Sequence, residues 1–144
     1  MDTPTMTQAG RGAIIGSVTI PGTPSEVAGA RAFVTRTLAA AGKGAAIDSD
    51  AATLLTSELV TNAIQHTASG VPGGSVTIVI VAVTGGIMIE VIDEGSPGTP
   101  VVKSDVLAAD GHGLYLVQQL AARWGYLRDT AGTTVWAHLA PVPG

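Results

Sequence analysis

Residues 75–93 read SVTIVIVAVTGGIMIEVID, and how this stretch is assigned decides the fold. No charged residue lies between His66 and Glu90, so the segment imitates a membrane span. A spanning helix needs about 20 continuous apolar residues. Here Thr84-Gly85-Gly86 interrupts the run, and both flanks are rich in β-branched residues. That pattern predicts two strands, 75–83 and 87–93, joined by a glycine-containing turn. Strands joined so closely pair antiparallel. No membrane span is expected.

Upstream, AIIGSVTI (13–20) reads as a first strand, ended by Pro21-Gly22. Thr23-Pro24-Ser25-Glu26 reads as a helix start, with an N-cap threonine, proline in first position and glutamate placed for a capping box. That helix is expected to run to about Ala41 and end at Gly42. A second helix starts near Asp48 or Asp50 and runs to about Ala68, before the breakers Gly70, Pro72, Gly73 and Gly74. Downstream, residues 94–110 form a loop rich in Gly, Pro, Ser and Asp. A third helix is predicted from Gly111 to near Trp124-Gly125, followed by strands at about 125–128 and 133–139. The order β-α-α-β-β-loop-α-β-β predicts an α+β two-layer sandwich: a mostly antiparallel sheet covered on one face by helices. No Gly-rich turn follows the first strand, which argues against a βαβ dinucleotide fold.

Composition sets the outer limits. The 144 residues suffice for one core; 46% are hydrophobic and 12% charged, which argues against a disordered chain. Residues 1–12 read as a flexible tail and 13–140 as a single domain. Seven Lys and Arg at a net charge of −4 are too few for a basic stripe, so direct nucleic-acid binding is not expected. The absence of cysteine excludes a disulfide scaffold and a cysteine nucleophile. The N-terminus, MDTPTMTQAGRG, lacks a basic region followed by an apolar one, so no signal peptide is expected and the cytoplasm is the expected location.

Four stretches carry candidate chemistry. In SELVTNAIQH (57–66), a helix advancing about 100° per residue sets Glu58, Asn62 and His66 on one stripe, while Val60, Ala63 and Ile64 face the other way. A carboxylate such as Glu58 can take a proton from an attacking hydroxyl, and the amide oxygen of Asn62 can ligate Mg²⁺, a hard ion that prefers oxygen. A solvated polar face is the simpler reading of the same pair. In IEVIDEGSPG (89–98), Asp93 ends an apolar strand and Gly95 follows it. A carboxylate there can accept a hydrogen bond from an exocyclic amine, and glycine lets a flat base approach the backbone; the alternative is an ordinary turn. In ADGHGLYLVQQL (109–120), Gly111 and Gly113 stand where a loop becomes a helix. Free N–H groups at such a start bind phosphate, although Asp110 could simply cap the helix. In AGTTVWAHL (131–139), the threonine hydroxyls could touch a ligand, or Gly-Thr could be a plain hairpin entry.

Taken in order, ELVTNAIQH, VIDEG, GHGLYLV and GTTV resemble the N box and three glycine boxes of the GHKL ATPase superfamily. Within it, SELVTNA, GLYLVQQLAARWG and GTTVWAHL look most like the bacterial anti-sigma-factor serine-protein kinases, over about residues 20–140. The resemblance implies a GHKL-type fold that binds ATP with Mg²⁺. It implies Glu58 as general base, Asn62 as the Mg²⁺ ligand, and Asp93 with Gly95 at the adenine. Gly111 and Gly113, with Leu114 beside them, would meet the phosphates. Thr134 would contact the adenine side, and residues 96–110 would form a mobile ATP lid. Implied partners are a sigma factor, an anti-anti-sigma factor phosphorylated on serine, and a second copy in a homodimer. Two departures stand out. Lys103 is the only cation in the lid, and His112 stands where the related kinases more often carry arginine. A regulatory module that binds ATP without useful catalysis is therefore the second reading. A detached histidine-kinase catalytic domain fits less well, because no histidine lies before the first helix. A metal site built from His66, His112 and His138 is disfavoured by their wide spacing.

Overall fold

A computed structural model describes residues 12–66, 73–93, 117–128 and 132–143. The first strand is β1, Ala13–Pro21. A 3-10 turn, Pro24–Glu26, leads into α1, Val27–Ala40, and α2 spans Ser49–His66. The hairpin strands are β2, Ser75–Val83, and β3, Gly86–Asp93. Residues 117–120 are helical, and β4, Arg123–Arg128, and β5, Thr133–Leu139, follow. Residues 1–11 of the proposed tail, the lid at 96–110 and Ala68 lie outside the described residues.

The strands form one sheet in the order β1-β2-β3-β5-β4, antiparallel throughout. The α+β two-layer sandwich expected from the sequence is what the chain adopts. Period-two alternation separates the two faces of the sheet. Val76, Ile78 and Ile80 of β2, Ile87, Ile89 and Val91 of β3, and Val135, Ala137 and Leu139 of β5 share one core with Val34 and Leu38 of α1 and Leu55, Leu59 and Val60 of α2. The opposite face carries a smaller apolar cluster of Val79, Val81 and Met88, with Val83, Ile92 and Trp136 against it.

The stretch that imitated a membrane span is the β2–β3 hairpin. Val83 pairs with Gly86 across Thr84-Gly85, and Gly85 takes φ 84°, a backbone state that glycine adopts without steric cost. Gly86 has a separate constraint: a Cβ there would run into the Leu139 carbonyl of the neighbouring strand. Among the described residues no helix is long and apolar enough to cross a membrane.

The helix ends follow local chemistry. Lys43 N–H donates to the Leu38 carbonyl at 2.8 Å and Gly42 N–H to the Ala39 carbonyl at 3.1 Å, with Gly42 at φ 72°. This is a Schellman closure of α1. The expected capping box at its other end does not form. Thr23 takes the extended cap conformation, but its hydroxyl makes no cap bond; its oxygen lies 3.4 Å from Ser25 Oγ instead. Glu26 N–H donates to the Thr23 carbonyl at 2.9 Å, which closes the 3-10 turn and delays the α-helix to Val27. At α2, Asp48 is the cap: its Oδ1 accepts from the N–H groups of Asp50 at 3.0 Å and Ala51 at 3.1 Å. Asp48→Ala is expected to destabilise the protein by about 1 kcal/mol. Urea unfolding should show a lower midpoint at an unchanged slope; an unchanged midpoint would mean that the cap contributes nothing.

One boundary differs from the sequence expectation. The third helix was expected to reach Trp124-Gly125, but both residues are in β4. Ala122 N–H already donates to the His138 carbonyl at 2.8 Å, so the strand ladder captures the chain two residues early. Trp124 then pairs with Ala137 and packs on the core. Gly125 leaves room for the Trp136 indole, whose ring a Cβ there would meet at 2.8 Å.

Candidate functional site

The SELVTNAIQH face is not simply wet. Val60, Ala63 and Ile64 are buried, as their side of the helix predicts. Glu58 is half-buried. Asn62 is only 3% exposed, and neither its Nδ2 nor its Oδ1 has a hydrogen-bond partner. A buried amide with both polar atoms unsatisfied is rare enough to require a cause. Nearby polar groups on the same helix are satisfied: the buried Thr56 hydroxyl donates to the Ala52 carbonyl at 2.8 Å. Just before Glu58, Arg31 Nη1 of α1 donates to Ser57 Oγ at 3.3 Å and ties the two helices together.

Asp93 ends β3 on the sheet face that the helices cover, and it is 3% exposed. It pairs in register with Thr133, whose backbone N–H donates to Asp93 Oδ1 at 3.2 Å. That bond fixes the carboxylate against β5. Thr133 is itself 3% exposed. Thr134 is differently placed. It pairs with Ile92, which belongs to the opposite face of the sheet along with Trp136. The register therefore sets Thr133, and not Thr134, on the face of Asp93. The sequence contained the signal: Val135, Ala137 and Leu139 alternate into the core, and Thr133 continues their series. A Thr133→Ala variant is expected to weaken nucleotide binding more than Thr134→Ala does, with calorimetry as the measurement. Equal effects would detach the site from this register.

Gly95, Gly111, Gly113 and Leu114 lie outside the described residues, as do Lys103 and His112. His138 makes a hydrogen bond to the hairpin turn. Its Nε2 donates to the Gly85 carbonyl at 2.9 Å, which holds the hairpin turn against β5. Among the described residues, no group of three His, Asp or Glu could hold a metal ion. Asn62 could still contribute one neutral oxygen to an ion held mainly by phosphate, the usual manner of Mg²⁺ in nucleotide sites.

The helix-covered antiparallel sheet is consistent with a GHKL-type fold, and Asn62 on α2 and Asp93 at the end of β3 are both buried. Residues 20–139 match the family model for the histidine kinase-like ATPase domain, and the chain belongs to that family. No curated protein matches the chain.

Proposed function

We propose that this ATP-binding domain is a cytoplasmic anti-sigma factor and serine-protein kinase. It binds ATP with Mg²⁺, holds a sigma factor as a homodimer, and phosphorylates a serine on an anti-anti-sigma partner. The observation that carries the nucleotide part is the orphaned Asn62 amide on the helix of Glu58. Desolvating such a group without a partner costs free energy, and a ligand that supplies the partner recovers it. The residues fit the group: Asn62 offers a hard oxygen to Mg²⁺, and Asp93 offers a fixed carboxylate to an exocyclic amine. Bound Mg²⁺ would neutralise phosphate charge. Glu58 accepts the proton of the attacking serine hydroxyl. The serine oxygen bonds to the γ-phosphorus as the bond to the β-phosphate oxygen breaks, and ADP leaves with that electron pair. The preference for serine kinases over other members of the family rests on the motif resemblance.

Titration calorimetry with and without Mg²⁺ tests the first part, and transfer of γ-phosphate label to co-purified anti-anti-sigma proteins tests the second. Mg-dependent binding with label on a partner serine is the expected result. Binding without label on any partner removes the kinase activity and leaves the second reading, regulation by ATP-dependent association. Lys103, the only cation in residues 96–110, favours that reading, because phosphoryl transfer depends on charge neutralisation.

A further inference from the structure

The connection between α1 and α2 is built from small residues. Gly42, Gly44, Ala45 and Ala46 are all exposed, and Ile47 is the one buried residue of 41–47. Ile47 is 2% exposed and belongs to the core beneath the helices. The rest of the connection is held by backbone bonds. The N–H groups of Ala46 and Ile47 both donate to the Lys43 carbonyl, at 3.1 Å and 3.0 Å. Asp48 then caps α2. A segment with so little buried apolar surface stands at the low end of local stability.

A second segment reaches it from across the fold. β5 ends at Leu139, which is 5% exposed and shares the core with Ile47. The next four residues, Ala140, Pro141, Val142 and Pro143, are all exposed. Val142 N–H donates to the Ala46 carbonyl at 2.8 Å. Proline has no N–H, so Val142 carries the one backbone donor of residues 141–143. Its side chain is 40% exposed, so burial adds little to the contact. The flanking prolines narrow the conformations open to the released segment, which lowers the entropy cost of closing it.

We propose that Pro141-Val142-Pro143 is a clasp that gates local opening of the α1–α2 connection. Closed, it holds Ala46 beside the end of β5 and keeps Ile47 in the core. Open, it frees residues 43–48 and the first turn of α2 as one unit. The rest of the fold stays in place, because Leu55, Leu59 and Val60 anchor α2 in the core and the β2, β3 and β5 ladders are separate from the clasp. The clasp bond lies between two exposed residues, where water competes for both groups. Glu58 and Asn62 lie well beyond the first turn of α2, so the inference stands without the nucleotide reading.

Amide hydrogen exchange of the folded whole chain tests the clasp. Val142→Pro removes the donor, and Val142→Ala keeps it and serves as the control. In Val142→Pro the amides of Ala46, Ile47, Ala51 and Ala52 should exchange about fivefold faster, the net worth of one hydrogen bond. Those of Ile80 and Ile89 in the hairpin should stay within about twofold of wild type, as a local opening requires. A double variant, Pro141→Gly with Pro143→Gly, keeps the donor but loosens the segment. It should speed the same connection amides about threefold, which keeps the proposal testable if Val142→Pro folds poorly. Unchanged exchange of the connection in both variants would overturn the clasp. An equal rise in the hairpin would overturn it as well, because the bond would then support the whole fold. A matching rise in Val142→Ala would assign the effect to the side chain and have the same consequence.

Discussion

Replacing Asn62 with leucine is expected to stabilise the protein without nucleotide and to abolish its response to Mg·ATP. Asn62 is 3% exposed, and both polar atoms of its amide are shielded without a partner. Leaving such a group unsatisfied costs about 1–3 kcal/mol. Its helix neighbours Leu59, Val60 and Ala63 are buried in the hydrophobic core, so an apolar side chain of similar size suits the position. The nucleotide-free variant should therefore gain about 1–2 kcal/mol in urea unfolding, allowing for imperfect packing. Wild type should overtake it once ligand is present, because a hundredfold excess over the dissociation constant adds about 2.7 kcal/mol to the form that binds. The crossing of the two stability orders is the diagnostic result. A variant that is less stable in both conditions would mean that the amide supports the fold. A variant that keeps the full Mg·ATP response would remove Asn62 from the site. A stabilising substitution that destroys binding marks a residue retained for function.

The hairpin was legible because two rules agreed on it. Residues 75–93 are too apolar for a solvated loop and too β-branched for a helix, and Gly85-Gly86 supplies the turn. The α1 stop at Gly42 was legible for a similar reason, since its positive φ is a local demand that glycine meets. One reading that ignored a neighbour failed. The end of the third helix was placed by its apolar run, yet β5 takes Ala122 and Trp124 into its ladder, a long-range pairing that no local pattern reports. Thr134 was named from a motif, and the register adds its neighbour Thr133, which period-two alternation from Val135 sets beside Asp93. At the site, sequence named Asn62 and Asp93. It could not show that one is orphaned while the other is clamped by a backbone N–H, because both facts depend on which strand and helix come together.

Glu58→Gln is expected to separate the two halves of the proposed activity. Glutamine keeps the size and hydrogen-bonding reach of glutamate but cannot accept the serine proton. The backbone around it should hold its position: Ser57 is tied to Arg31 at 3.3 Å, and Leu59 and Val60 anchor the other side of α2 in the core. Binding of Mg·ATP should therefore stay within a few-fold of wild type, unlike in the Asn62 variant. Phosphoryl transfer to the partner serine should fall by about 10²–10⁴, the usual contribution of a positioned base. Single-turnover label transfer measures the loss, and calorimetry on the same preparation measures the retained binding. Equal loss of both would make Glu58 a ligand-binding group rather than a base. If the variant instead transfers phosphate as well as wild type, another group takes the proton. If neither protein transfers label yet both hold the sigma factor in an ATP-dependent way, Glu58 is idle and the domain regulates by association alone. Because Asn62 reports on binding and Glu58 on proton transfer, the two variants together assign any loss of regulation to one of those steps.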